Sequence, residues 1–450
     1  MVSAIQVPFI LGHLHTPKIL VTYTTALSLL FTTQFLFFSI STYRLFFHPL
    51  VAFCGPRLAA LTKIWHMWKC RDSRNHHVLE AWHHQYGTFG TGPNEITLFH
   101  ASAYEVLDGP NNRNTRGEWH DLLYLDVSPI FTRDKMLHHD RRRCGTMRWN
   151  LAIESFDDIV QQSESRPISV NDMIRSLLLN IICDIGFGVT SSCQRILLGP
   201  FNSCIWIPRL ILECCPSVWK VKHWNEMRAF ADSCMESREK TLQKDDECTD
   251  LISFFHTFQS RHGEAGWHNL SGDAATVLVA GSDTISSSLI LLLCFLARHP
   301  QHAIQIQEEL VDIDRKNVYA LSGLKHLDAT INESMRLLPA VPTFGERYTP
   351  SEGLTVERTF IPVGSAYEDP YSFIPERWYS KKCLIKDKRA FAPFGIGRTS
   401  CVGKKLVLML IKLFTAAMLS KYDIRFAPNT NDGEAVERDL KDQLTANVSE

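Results

Sequence analysis

The stretch Phe394-Gly395-Ile396-Gly397-Arg398-Thr399-Ser400-Cys401-Val402-Gly403 holds the residue types and spacing best suited to chemistry. It is a glycine-punctuated loop that delivers Cys401 to the mouth of an apolar helix expected over Lys404–Leu419. A helix N-terminus offers unpaired N–H donors and partial positive charge, and both favour a thiolate over a thiol. A thiolate is a ligand that iron accepts. Gly395, Gly397 and Gly403 would let the backbone approach a flat macrocycle closely. The competing reading, a small buried thiol after a turn, suits the other cysteines better. The chain has 13, scattered and odd in number, with no C-x-x-C pair. Neither a zinc ribbon nor a disulfide framework is therefore expected.

Several elements must position that loop. The longest helix is expected over Gly272–Arg298, with Ser271 as N-cap and Pro300 as the stop. It is apolar on nearly all sides, but Asp273, Asp283 and several hydroxyl residues mark it as a helix through a protein core rather than a membrane span. Midway along it lies Ala280-Gly281-Ser282-Asp283-Thr284. Asp283 and Thr284 are expensive to bury without hydrogen-bond partners. A threonine hydroxyl at an opening in the helix can hold water and relay protons; the alternative has Thr284 bonded back to its own helix and Asp283 at a polar edge. A second helix, expected over Gly323–Leu338, places Glu333 and Arg336 on one face. A turn at Gly90–Pro93, a strand at Glu95–Phe99, and strand-like pieces at Thr355–Glu357 and Tyr422–Phe426 complete a mainly α fold with a small β region.

With 450 residues, 45% of them hydrophobic, the chain can bury a large core. Forty-seven basic residues against 48 acidic ones leave a net charge of −1, so no nucleic-acid partner is expected. Ile19–Tyr43 runs 25 residues without a charge, enough to cross a bilayer with some tilt and long for a cleaved signal. Only Lys18 precedes it, whereas Arg44, Arg57, Lys63, Lys69, Arg71 and Arg74 follow, which puts the body of the chain on the cytosolic side. Residues 1–18 are then a lumenal segment, 19–43 a transmembrane anchor, 44–58 a proline-containing hinge and 59–450 the catalytic domain.

The cysteine loop resembles the haem-binding loop of the cytochrome P-450 family. Three further motifs stand in the order that family has: Ala280–Thr284 resembles its oxygen-activation motif, Glu333-Ser334-Met335-Arg336 its E-x-x-R helix, and Pro375-Glu376-Arg377-Trp378 its P-E-R-F segment. The likeness covers most of residues 45–427, and the wording is closest to microsomal enzymes of fungal secondary metabolism. It implies haem b (iron protoporphyrin IX) with Cys401 as axial ligand, and a loop contributing Phe394, Gly397, Arg398 and Gly403. It further implies Arg347 on a haem propionate, Thr284 and Asp283 in proton delivery, and Glu333, Arg336 and Arg377 in a buried ion network. The implied activity is a monooxygenase acting on a lipophilic small molecule. NADPH-cytochrome reductase would supply electrons, with cytochrome b5 as a second donor, at the endoplasmic reticulum membrane with the catalytic domain facing the cytosol. The alternatives are a redox-independent haem-thiolate isomerase or dehydratase, or an inactive shortened member.

The chain departs from the family pattern in places. Thr399 stands where the loop arginine is usual, and Arg398 precedes it. After Arg141-Arg142-Arg143 the chain reads Cys144-Gly145, with Trp149 out of register. Arg336 to Pro375 is short by a strand and turn between Pro362 and Tyr367, and the region after Gly188 is also short. These shortenings bear on activity more than on fold.

Overall fold

The computed structural model describes residues 17–109, 114–117, 169–187, 226, 229–236, 265–314, 318–343, 347–349, 366–397, 400–428, 433–443 and 445–447. The chain divides into two compact units, one running to His66 together with Thr88–Thr97, the other comprising Met67–Gly87 and the chain from Leu98 onward.

In the first unit, helix α1 spans Pro17–Phe46. Thr25, Thr32, Thr33 and Thr42 each donate their hydroxyl to a carbonyl three or four residues back, so these four hydroxyls are satisfied within the helix. None of its stretch Thr22–Phe46 is buried, and that stretch is long and apolar enough to cross a membrane. A short 3-10 turn follows at Pro49–Ala52, capped by His48, whose Nδ1 accepts from the Leu50 N–H. Helix α2 spans Arg57–Leu61. Strand β1 (Phe89–Gly92) pairs antiparallel with β2 (Glu95–Thr97), and Lys63 forms an ion pair with Glu95. The turn therefore sits at Pro93-Asn94, later than expected, and the strand stops at Thr97 rather than Phe99. Phe89 is fully buried and draws the chain into the ladder early, while Pro93 lacks an N–H and cannot extend it.

In the second unit, α3 spans Asn75–Tyr86 and α4 spans Ala103–Asp108. Helix α5 (Val170–Phe187) buries Ile174, Leu177, Leu178, Ile181 and Ile182, the stripe one helix face produces. That stripe packs on α6, which spans Ala265–Arg298. A Cβ on Gly281 would stand 3.0 Å from Ile182 Cδ1, so glycine is what lets the two helices close up here. From Ile285 to Leu293 every residue of α6 is buried, as befits a helix enclosed by neighbours on all sides. Ser286, Ser287 and Ser288 donate to carbonyls four residues back, which makes the hydroxyls tolerable there. Helix α6 begins seven residues before Gly272, so Ser271 is a helix-interior residue rather than an N-cap.

Helices α7 (Pro300–Glu309), α8 (Lys325–Leu337) and α9 (Lys404–Lys421) share one apolar core with α5 and α6. Two-residue strands β3 (Thr115–Arg116) and β4 (Arg347–Tyr348) pair antiparallel, as do β5 (Lys441–Gln443) and β6 (Thr445–Asn447). Ser287 Oγ shares its one proton between the Asp283 carbonyl and the Ala446 carbonyl, 2.7 Å away, which ties α6 to β6. Tyr422–Phe426 is not a strand: it leaves α9 extended but forms no ladder among the described residues. The expected strand at Thr355–Glu357, and the shortened regions at residues 141–149, after Gly188 and at 362–365, lie outside the described residues.

Candidate active site

The loop before α9 closes on itself. The Cys401 N–H donates to the Phe394 carbonyl at 2.7 Å and the Gly395 N–H to the Ala392 carbonyl at 2.9 Å. Gly403 is the N-cap of α9, and the backbone N–H groups of Gly403 and Lys404 hydrogen-bond the Cys401 sulfur. Lys404 Nζ lies 5.6 Å from the Phe394 ring centre. Cys401 is open to solvent, although dense protein around the sulfur pushes its thiol pKa up. The two N–H donors and the Lys404 charge pull the other way without overcoming that desolvation. The helix terminus thus acts in the expected sense but does not by itself make a thiolate. A cation bound to the sulfur would.

Gly397 has φ +62° and packs against Asp108; a Cβ there would overlap the Asp108 carbonyl. The Asp108 carboxylate in turn takes a two-pronged bond from Arg347, at 2.8 Å from Nε and 3.0 Å from Nη2, with both side chains more than nine-tenths buried. Arg116 stands opposite Arg347 in the β3–β4 ladder. Burial and the Arg347 charge bring the Arg116 pKa down to about 10 against the pull of Asp108. Asp108, Arg116 and Arg347 together leave one positive charge in excess beside the cysteine loop, an environment suited to a carboxylate guest. Asp108 and Arg116 carry no local sequence signal. Their role follows from pairings more than 200 residues long. Arg398 and Thr399 lie outside the described residues.

On α6, Val279, Ala280, Gly281, Ser282, Asp283 and Thr284 are only half-buried, whereas the next nine residues are buried. The helix therefore presents an uncovered side at this motif. Thr284 Oγ1 donates to the Ala280 carbonyl at 2.6 Å, the back-bonded arrangement, which leaves its oxygen lone pairs as acceptors. Asp283 pairs with Arg175 of α5 at 3.9 Å.

Glu333, Arg336 and Arg377 meet in the interior. Glu333 and Arg377 are fully buried. The Glu333 carboxylate accepts from Arg336 Nε (3.0 Å) and Nη2 (2.9 Å), Arg377 Nε (2.8 Å), Trp378 Nε1 (2.9 Å) and the Ile374 N–H (2.9 Å). Further guanidinium protons reach the carbonyls of Glu368, Asp369, Pro370 and Ser372. Two guanidinium charges thus face one carboxylate, the backbone carbonyls solvate the positive charge in excess, and the bonds tie α8 to the Pro375–Trp378 turn. Burial pushes the hydroxyl of Tyr367, whose ring faces both arginines, up to about 12.

A cysteine on a glycine-cradled helix N-terminus, an arginine pair beside it and an uncovered threonine-bearing core helix match a known class. The cytochrome P450 family profile matches residues 135–445, and the chain belongs to the cytochrome P450 family. That class holds haem iron through a cysteine thiolate, and the chain is an oxidoreductase of this class. Three similar proteins are fungal. Tryprostatin B 6-hydroxylase of Aspergillus fumigatus is 30% identical, over 88% of this chain and 79% of that protein. Cytochrome P450 monooxygenase notG' of Aspergillus versicolor is 28% identical, over 92% of this chain and 84% of its own length. Cytochrome P450 monooxygenase FCK2 of Fusarium pseudograminearum is 29% identical, over 88% and 80%.

Proposed function

We propose that this chain is a membrane-anchored monooxygenase that transfers one oxygen atom from O2 to a lipophilic small molecule, with haem b held by Cys401. The observation that carries the reading is the 394–403 loop, which sets the sulfur of the solvent-exposed residue Cys401 against two helix N–H donors. The residues fit the group: Gly397 lets the loop close on Asp108, Gly403 leaves the Cys401 sulfur without a side chain over it, Phe394 backs the loop, and Arg347 and Arg116 supply the positive charge for a propionate. Arg398 belongs to the same loop and is assigned the same task. When bound, the haem supplies the oxygen chemistry; the protein supplies ligand, proton path and pocket. The secondary-metabolite setting is supported by relatives such as the hydroxylase of tryprostatin B. The exposed Lys404 and Lys405 suit an acidic electron donor such as an NADPH-dependent reductase or cytochrome b5.

Thr284 Oγ1 is assigned the task of holding a water and passing its proton onward, with Asp283 as the polar group beside it. In a reconstituted system with reductase and NADPH, the wild type is expected to form product carrying one atom of labelled O2. Thr284→Ala should keep its haem content and substrate affinity while more of the NADPH electrons end as hydrogen peroxide. A barrier raised by ~1.4 kcal/mol slows productive proton transfer about tenfold, enough for a competing loss to dominate. Unchanged coupling in Thr284→Ala would make Thr284 a helix residue only. Turnover of wild type without reductase would favour an isomerase.

Residues 19–43 are assigned as the anchor, 44–58 as the hinge and 59–450 as the catalytic domain, facing the cytosol from the endoplasmic reticulum. The excess of Lys and Arg after α1 supports this orientation. Deleting residues 1–44 should move the chain from the membrane pellet to the supernatant at high salt, while salt alone leaves the full chain in the pellet. A truncated chain that sediments completely with membranes would defeat the assignment.

A further inference from the structure

A second group of ligand-type side chains shares no residue with the site above. His302 near the start of α7, His326 at the start of α8 and Glu376 in the Pro375–Trp378 turn point three donor atoms at one another, all within 4.8 Å. His302 Nδ1 lies 3.1 Å from His326 Nε2 and 4.0 Å from Glu376 Oε1. We propose that His302, His326 and Glu376 bind a zinc-type divalent ion that clamps these three segments together.

The distances suit that chemistry. Zinc bonds of about 2.0–2.2 Å to imidazole nitrogen and carboxylate oxygen place tetrahedral donors about 3.3 Å apart and no donors beyond about 4.2 Å. The imidazole pair is near the tetrahedral value. The His302–Glu376 gap is too wide for a hydrogen bond yet within the span of a shared ion. Glu376 is partly exposed, so its carboxylate has room to complete the set by a small swing. The outer partners are of the right kind: the other nitrogen of His326, Nδ1, lies 3.1 Å from the Tyr379 hydroxyl, and the Gln305 side chain bonds His302. Phe373 packs edge-on against His302, 5.6 Å between ring centres, which walls the group from water. The rival arrangement is a metal-free imidazole pair sharing a proton.

The segments so joined are consequential. Glu376 is the neighbour of Arg377, and α8 carries Glu333 and Arg336. An ion here would brace the buried charge network from outside.

The test uses the full-length haem-loaded chain, stripped with a chelator, dialysed against micromolar ZnCl2 at neutral pH and analysed for zinc and iron by mass spectrometry. Expected are one zinc per chain, a higher melting temperature with zinc than without, and roughly 100-fold weaker zinc binding in His302→Gln and His326→Gln. Tyr379→Phe, which removes only an outer partner, should weaken binding about tenfold. Glu376→Gln, at a partly exposed side chain, serves if a histidine variant fails to fold, and it should lose zinc while keeping its haem spectrum. A wild type that retains no zinc, or variants that retain as much as wild type, would overturn the site in favour of the imidazole pair.

Discussion

Replacing Cys401 with serine is expected to abolish the red-shifted carbon monoxide spectrum of reduced thiolate haem, whereas Cys54→Ser, Cys70→Ser and Cys383→Ser should leave it intact. The sulfur of Cys401 is the one that the N–H groups of Gly403 and Lys404 address. Cys70 is buried and bonds Asn75 Oδ1 at 3.1 Å, and burial pushes the Cys294 thiol up to about 11. Cys54 and Cys383 are exposed, but Cys54 precedes only the five-residue α2 and Cys383 sits in a three-residue 3-10 turn, and neither follows a glycine-punctuated loop. A serine hydroxyl is a far weaker acid than a thiol, so no soft anion remains at position 401. The substituted chain should still fold, because the loop is closed by backbone bonds and glycine conformations that serine does not disturb. A thiolate-type spectrum surviving in Cys401→Ser would transfer the ligand to another cysteine.

Glu333→Gln is expected to be the most damaging isosteric change in the described structure. Five N–H donors converge on the Glu333 carboxylate. An amide offers one accepting oxygen and turns two protons toward donors, and it strands the fully buried Arg377 charge. Breaking such a pair costs about 3–5 kcal/mol, a large part of the ~5–15 kcal/mol that holds a domain folded. Soluble yield and haem incorporation should collapse, with a melting temperature well below wild type. Glu368→Gln is the control. Its ion pair with Lys386, at 2.7 Å, is half-exposed on both sides, so its loss should change stability by less than about 1 kcal/mol. Equal melting of Glu333→Gln and wild type would show that the network contributes little.

What could be read in advance was what a few neighbouring residues encode. The extent of α9 and the glycine loop leading to Cys401 depend on spacings within one helix turn or one loop. The same holds for the Glu333–Arg336 pair. Helix ends were less legible: Ser271 looks like a cap because serine favours that place, yet the helix runs through it as it does through Ser286, Ser287 and Ser288. Tyr422–Phe426 has the composition of a strand but no partner edge among the described residues. Asp108 and Arg116, like the convergence of His302 with His326 and Glu376, arise from segments far apart in the chain, and no local pattern announces them. The charge state of Cys401 needed the packing around it, since desolvation and helix donors oppose each other and only the structure weighs them.

The Asp108 contact also sets a timetable. Arg347 lies 239 residues after Asp108, and Gly397, which rests on the Asp108 carbonyl, comes 50 residues later still. At a synthesis rate of ~5–20 residues per second, the interval between the emergence of Asp108 and of Gly397 is roughly a quarter of a minute to a minute. During that time one wall of the site exists without the other, and closing so long a loop gives no return until the far segment arrives. Cofactor capture is therefore a late event in the life of each new chain, and a ribosome that stalls before Gly397 leaves a chain with no complete cradle to load.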